Sequence, residues 1–348
     1  MAAISNISNA PEVVLRAKER YGQALKATNM ALCDPSQATA DTTLMTILLL
    51  GLFVTIMFES WNDSHAWTTH IEGATALLQL RGKDQFTREL GIQLYIQFRQ
   101  QILQACMHRG VPVPPALVEI TMQFEASRQG TQYNSLRPGS LAVLGFRLVN
   151  LSAAMSTQQM TDGDAICQIA SDVDSDLKAW ALMSLQSRRK FREIGVDTSD
   201  GIVCFNGKRH VYNSEWGAQV WNNWRSLSIV TNRIILDHVD KQSFHDDALK
   251  EMMRSHSISV IQSLSTDICI SAPSLSGSPR QCQSQITPNT KIKLTTITGA
   301  PSMIWPLHIV SQEKLNVPSV RSWAVQQLVG IRQSMGIKQA AVLADTVG

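Results

Sequence analysis

Residues 44–58 form an apolar run broken only by Thr46, Gly51 and Thr55. Fifteen residues fall short of the ~20 that a helix needs to cross a bilayer. The run therefore predicts a central core helix, wrapped by other helices. A chain that contains such an element must supply apolar partners on every side of it. With 348 residues and 44% hydrophobic content this one has them.

The surrounding sequence supplies helices at the required density. The first is predicted from Asn9-Ala10-Pro11-Glu12 to Leu32, with Asn9 as cap, Pro11 in the first turn and Glu12 closing a capping box. Val14, Leu15, Ala17, Tyr21, Leu25 and Met30 make its apolar stripe, and Asp34-Pro35 stops it. Asp41 is placed to cap the helix that holds the apolar run. Further helices are predicted at 66–80, 85–107, 116–128, 140–155, 162–185, 215–240 and 246–270, the first of them ending at Gly82. No segment shows the strict alternation of a half-buried strand, so the fold class is all-α, a layered multi-helix array. Residues 187–209 read as a connector between two helical layers. Residues 271–298, rich in Ser, Pro and Gln over most of their length, read as a mobile loop, which leaves 1–270 as one helical domain and 299–348 as C-terminal helices packing back on it.

Charge and cysteine usage bound the function. Thirty-one basic and 28 acidic residues leave a net +3, spread thinly, so no bulk footprint for nucleic acid is present. Cys33, Cys106, Cys167, Cys204, Cys269 and Cys282 match in number the six thiolates of a binuclear zinc cluster but are scattered along the chain. They are expected to be reduced, mostly buried thiols, with no metal site and no disulfide framework. Met1-Ala2-Ala3-Ile4-Ser5 has neither a basic region nor the apolar stretch of a secretory leader.

Asp172-Val173-Asp174-Ser175-Asp176 has the spacing of a calcium loop, but Leu177 and Met183 occupy the positions that need glycine and glutamate. Asp162-Gly163-Asp164 reads as a turn and helix cap, and His238 with His245-Asp246-Asp247 as a helix junction in preference to a metal site. Arg188, Arg189, Lys190 and Arg192 form the one concentrated basic run: a nuclear-import signal, a phosphate contact or a solvated loop. No phosphate-binding glycine loop, nucleophile elbow or His-Glu-x-x-His pair occurs, so no catalytic residue and no cofactor is assigned.

In order and spacing, several motifs resemble the regulatory domain of fungal zinc-cluster transcription factors. Asp41-Thr42-Thr43-Leu44 leads into Leu48-Leu49-Leu50-Gly51-Leu52-Phe53. Trp67, His70, Gly73-Ala74 and Leu80-Arg81-Gly82 are similar to that family's W-x-x-H-x-x-G-A and L-x-R-G signature. Trp216, Trp221-Asn222-Asn223-Trp224-Arg225, Asp267-Ile268-Cys269, Ile304-Trp305-Pro306-Leu307 and Met335-Gly336-Ile337 follow in the family's order. These signature residues are structural. His70 shares a helix face with Trp67 and reads either as a ligand or switching residue or as a histidine bonded across a helix contact.

The resemblance implies a transcription regulator of a fungus, nuclear with the cytoplasm as alternative, set in specialised-metabolite or nutrient-use control. The chain begins where the family's helical domain begins, without zinc cluster, basic linker or coiled coil. Either it acts through partners or its true start lies upstream. The expected partner is a protein, a full-length zinc-cluster relative or a second copy, with no direct DNA contact and no membrane. The alternative class is a small-molecule binder or enzyme on a repurposed helical scaffold.

Overall fold

Most helix signals in the sequence translate into structure, while a helix over Ala2–Ser8 and a short hairpin appear that the sequence did not announce. The computed structural model describes residues 2–8, 10–58, 64–127, 140–186, 191–196, 204–243, 246–276 and 294–346. Its contacts gather into two units, Met1–Thr157 with Gly336–Gln339, and Gln158–Met335 with Ala340–Gly348. The division falls inside the stretch expected as one domain. Among the described residues no helix is long and apolar enough to cross a membrane.

Among the described residues the first unit is built from helices: α1 (Ala2–Ser8), α2 (Pro11–Cys33), α3 (Pro35–Ala38), α4 (Asp41–Met57), α5 (Ser64–Arg81), α6 (Glu89–Arg109), α7 (Pro115–Ser127) and α8 (Leu141–Ser156). Asn9 lies outside the described residues, and α2 is preceded by Ala10, which provides no side-chain cap. Helix α4 is likewise preceded by an alanine that provides no side-chain cap, Ala40, with Asp41 in its first turn. That carboxylate, held at a helix N-terminus, is instead taken by two arginines. The buried Arg81 donates to Asp41 and to the Thr39 carbonyl, and Arg88 reaches the second Asp41 oxygen at 2.9 Å. The helix expected from residue 85 starts at Glu89, because a 3₁₀ turn over Gly82–Phe86 follows the left-handed Gly82.

The core of this unit packs Leu44, Leu78, Tyr95, Ile102 and Leu117. The Thr121 hydroxyl donates to the Leu117 carbonyl, so Tyr95 must donate to Thr121, at 2.7 Å. Contrary to expectation, α4 is not surrounded: Leu44, Ile47 and Leu50 are buried, while Leu49 is 59% exposed. Asn6 uses both amide protons to hold α1, one on the Ile56 carbonyl and one on that of Gly336, at 2.8 and 2.7 Å. Gly336 has φ +66°, and a Cβ there would lie 2.1 Å from the Ala3 carbonyl oxygen.

The second unit contains α9 (Gly163–Gln186), β1 (Phe191–Gly195), β2 (Lys208–Tyr212), α10 (Glu215–His238), α11 (Asp247–Ser271), α12 (Pro273–Ser276), α13 (Leu294–Gln312), α14 (Pro318–Met335) and α15 (Lys338–Asp345). Here α10 is the surrounded helix, packed by α9, α11, α13 and β2. Trp224 Nε1 donates to the Leu177 carbonyl at 2.8 Å, and Asn232 to Asp174 at 2.7 Å. Asp174 is thus a buried helix residue, not a calcium-loop ligand. Asp162 accepts from the Asp164 amide, and Asp164 in turn accepts from Ser243. Asp246 caps α11, His238 bonds to the Ile234 carbonyl, and His245 lies outside the described residues.

Two sequence expectations are corrected in this unit. The connector over residues 187–209 contributes an antiparallel hairpin, with Phe191 opposite Tyr212 and Glu193 opposite His210. The expected loop over 271–298 is helical at both ends, in α12 and in an α13 that begins at Leu294; residues 277–293 lie outside the described residues. Among the described cysteines, Cys106, Cys167 and Cys269 are buried, Cys204 is partly covered and Cys33 is exposed; Cys282 lies outside. Burial pushes the Cys106 thiol up to about 11.

The two glycines highlighted by sequence and structure should respond oppositely to alanine. Gly73 sits inside α5 with open space around it, so Gly73→Ala should stabilise the protein by about 0.5–1 kcal/mol. Gly336→Ala must displace Ala3 and adopt a strained φ, and should destabilise it by roughly 1–3 kcal/mol. Urea denaturation followed by circular dichroism reads both.

Candidate functional site

The most unusual chemistry in the second unit is an arginine with no exposed surface. Arg225 lies midway along α10, where a cation is tolerated only if its donors find partners. Its guanidinium donates to Tyr212 Oη at 2.7 Å, Asn222 Oδ1 at 3.0 Å and His210 Nδ1 at 3.2 Å, and it lies 4.9 Å from the Phe191 ring centre. On its remaining side Asp267 Oδ2 stands 3.6 Å from Nε. The hairpin supplies His210, Tyr212 and Phe191, α11 supplies Asp267 and Ser271, and α10 supplies Asn222 one turn before Arg225.

The proton positions follow from the donors. Arginine only donates, so His210 Nδ1 must carry a lone pair and the ring proton sits on Nε2, 3.8 Å from Glu193. Burial, then the Arg225 and Lys208 charges, push the His210 pKa down to about 3. Burial raises Asp267 despite the guanidinium beside it. Glu193 is neutralised by Lys208 at 2.8 Å. The cluster thus holds two cations, two carboxylates and a neutral imidazole.

Ser271 Oγ accepts from Tyr212 at 2.9 Å and from Asn222 at 2.8 Å, and the Asn222 amide also faces Met303 Sδ at 3.3 Å. A serine nucleophile needs a base that takes its proton. Here both neighbours give protons to Ser271, so the arrangement fixes positions and does not prepare an attack. Among the described residues no three His, Cys, Asp or Glu side chains gather to hold a metal. An open trough of about 560 Å³ on α11 is lined by Ser255, Ile258, Ser259, Gln262, Ser263 and Thr266, the last of them next to Asp267 in sequence.

The sequence-derived residues fall into separate groups. Trp221, Asn222 and Arg225 converge, Trp221 packing its ring against Trp180 and Phe191. Trp305 and Pro306 lie in α13, with Pro306 buried. Arg81 and Gly82 form the Asp41 junction, Gly73 is exposed on α5, and Trp67 and His70 belong to α5 with side chains outside the described residues. Arg192 is exposed on β1; Arg188, Arg189 and Lys190 lie outside the described residues. Sequence reasoning missed Phe191, His210, Tyr212 and Ser271 as members of one site. The inward face of the hairpin mixes aromatic, acidic and imidazole groups, and no apolar alternation marks it.

Residues 2–130 match the family described as the fungal specific transcription factor domain. No curated protein and no solved structure matches the chain. The matched segment lies wholly in the first unit, whereas the Arg225 cluster belongs to the second.

Acid should loosen the cluster through His210. Its folded pKa lies below the unfolded value of ~6.5, so its contribution is present above pH 6.5 and is lost as pH falls toward 3. Asp267, raised on folding, works with the opposite sign. Between pH 6.5 and 4.5 the wild type should lose roughly 2 kcal/mol more stability than His210→Gln, which keeps an acceptor for Arg225. Removing the guanidinium with Arg225→Ala should cost about 3–5 kcal/mol at pH 7. Urea titrations at the two pH values measure both effects.

Proposed function

We infer, from the premise that residues 2–130 form a fungal specific transcription factor domain, that this chain is a transcription regulator working in the nucleus through protein contacts. The family match carries the reading. Two features of the chain agree with it. The Arg225 guanidinium is met by side chains of its own unit, and the six cysteines are dispersed, without the close spacing of a binuclear zinc cluster. Its partner is a protein, either a full-length zinc-cluster relative, which would bring promoter contact with it, or a second copy. The regulated genes are of the specialised-metabolite or nutrient-use kind, a step that rests on family analogy.

Nuclear entry is assigned to the basic run Arg188, Arg189, Lys190 and Arg192. The experiment has two parts. Tethered to a heterologous DNA-binding domain upstream of a reporter in a fungal cell, the chain should change expression several-fold in either direction. Replacing the four basic residues with alanine in a fluorescent fusion should shift it to the cytoplasm. A reporter that does not respond, with the fusion present in the nucleus, sinks the regulatory reading.

A further inference from the structure

The hairpin beside Arg225 has one closed edge and one open edge. Val196 N donates to the Gly207 carbonyl at 2.8 Å, which extends the ladder one pair beyond Gly195 and Lys208. Hydrogen-bonded and non-bonded pairs alternate along an antiparallel ladder. The bonded pairs are therefore 194 with 209 and 192 with 211. The backbone groups of His210 point away from β1, and its carbonyl accepts from Ser274 Oγ at the start of α12. On the opposite edge the N–H and C=O groups of Phe191, Glu193 and Gly195 point away from β2. Among the described residues they meet no partner, and Arg192 to Gly195 are exposed.

The outer face of the same strands carries the charge. Arg192 and Arg209 lie diagonally across the ladder, with Val211 and Ile194 as their direct partners. Neither arginine forms an ion pair among the described residues, and Arg209 Nε is buried without a hydrogen-bond partner. An edge strand with open backbone groups is a template for a further strand, and exposed cations determine which strand it accepts.

We propose that the β1 edge captures an extended acidic peptide segment of a partner protein. The segment adds as a third strand, with carboxylates on the outer face against Arg192 and Arg209. Charge argues against the other occupants. Residues 277–293 carry no Asp or Glu and three basic residues. A second copy paired antiparallel about β1 would set Glu193 opposite its own counterpart, which like charges disfavour. The proposal deepens the protein-contact reading above by naming the partner's chemistry. The binding measurement tests the edge alone, and the reporter tests the role, so either can fail without the other.

The probe is a fluorescein-labelled peptide of alternating Glu and Val, which places every carboxylate on one face of a strand. Its Lys-Val counterpart is the control. Anisotropy titration of the full chain should show saturable binding of the Glu-Val peptide and none of the control. Arg192→Glu and Arg209→Glu should each weaken binding roughly tenfold or more. Gly195→Pro deletes an outward N–H without removing a hairpin bond or a side-chain contact, and should abolish binding at an unchanged unfolding midpoint. Hydrogen exchange on the wild type adds a readout free of mutation: the amides of Phe191, Glu193 and Gly195 should slow when peptide is added. No saturable binding, equal binding of both peptides, or unchanged exchange at those amides would overturn the proposal. So would duplex DNA binding through the same arginines in place of the peptide.

Discussion

A guanidinium sealed inside the second unit dictates what can be built around it. Burying a cation is costly unless every donor is met, and the requirement is geometric as well as electrostatic. Arg225 presents a planar fork, so its partners must lie in one plane on several sides: Tyr212 and His210 from β2, Asn222 from its own helix and Asp267 from α11. Lysine could not replace it, because a single ammonium cannot span those directions. The hairpin exists where it does because it delivers two of these acceptors on one face. Ser271 then links Tyr212 and Asn222, closing the network on α11.

Arg81 plays a related part in the first unit. It too is buried, and it joins the end of α5 to the start of α4 through the Thr39 carbonyl and Asp41. In each unit a long basic side chain bridges elements that apolar packing alone would leave free to slide. Such links favour one arrangement over near-equivalent repackings of the same helices. Both arginines fall in the motifs by which the sequence resembled the fungal regulatory family.

Much of the helical framework was legible because it obeys local rules. Asp34-Pro35 ended α2 and Gly82 ended α5, as propensity and φ constraints require. What escaped was decided by tertiary partners. The most apolar helix, α4, was expected at the centre, yet the surrounded helix is α10, whose inward positions include Asn222, Arg225, Ser226, Thr231 and Asn232. Hydropathy cannot recognise a core position occupied by a polar group that has found its partner. The hairpin was hidden for the same reason: Glu193 and His210 face inward toward charges, not toward oil. Of the candidate site, Trp221, Asn222, Arg225 and Asp267 were visible in advance, and only through resemblance.

The anchoring of α1 has a consequence for how the molecule is made. Asn6 bonds to the carbonyl of Gly336, 330 residues further along, where any side chain would strike Ala3. During synthesis Asn6 emerges 330 residues before Gly336. At about 10 residues per second the wait is on the order of half a minute. Through that interval Ala3 and Asn6 lack the Gly336 backbone they finally pack against, and α1 is held only by nearer partners such as the Ile56 carbonyl. Completion of the first unit is therefore coupled to translation of nearly the whole second unit.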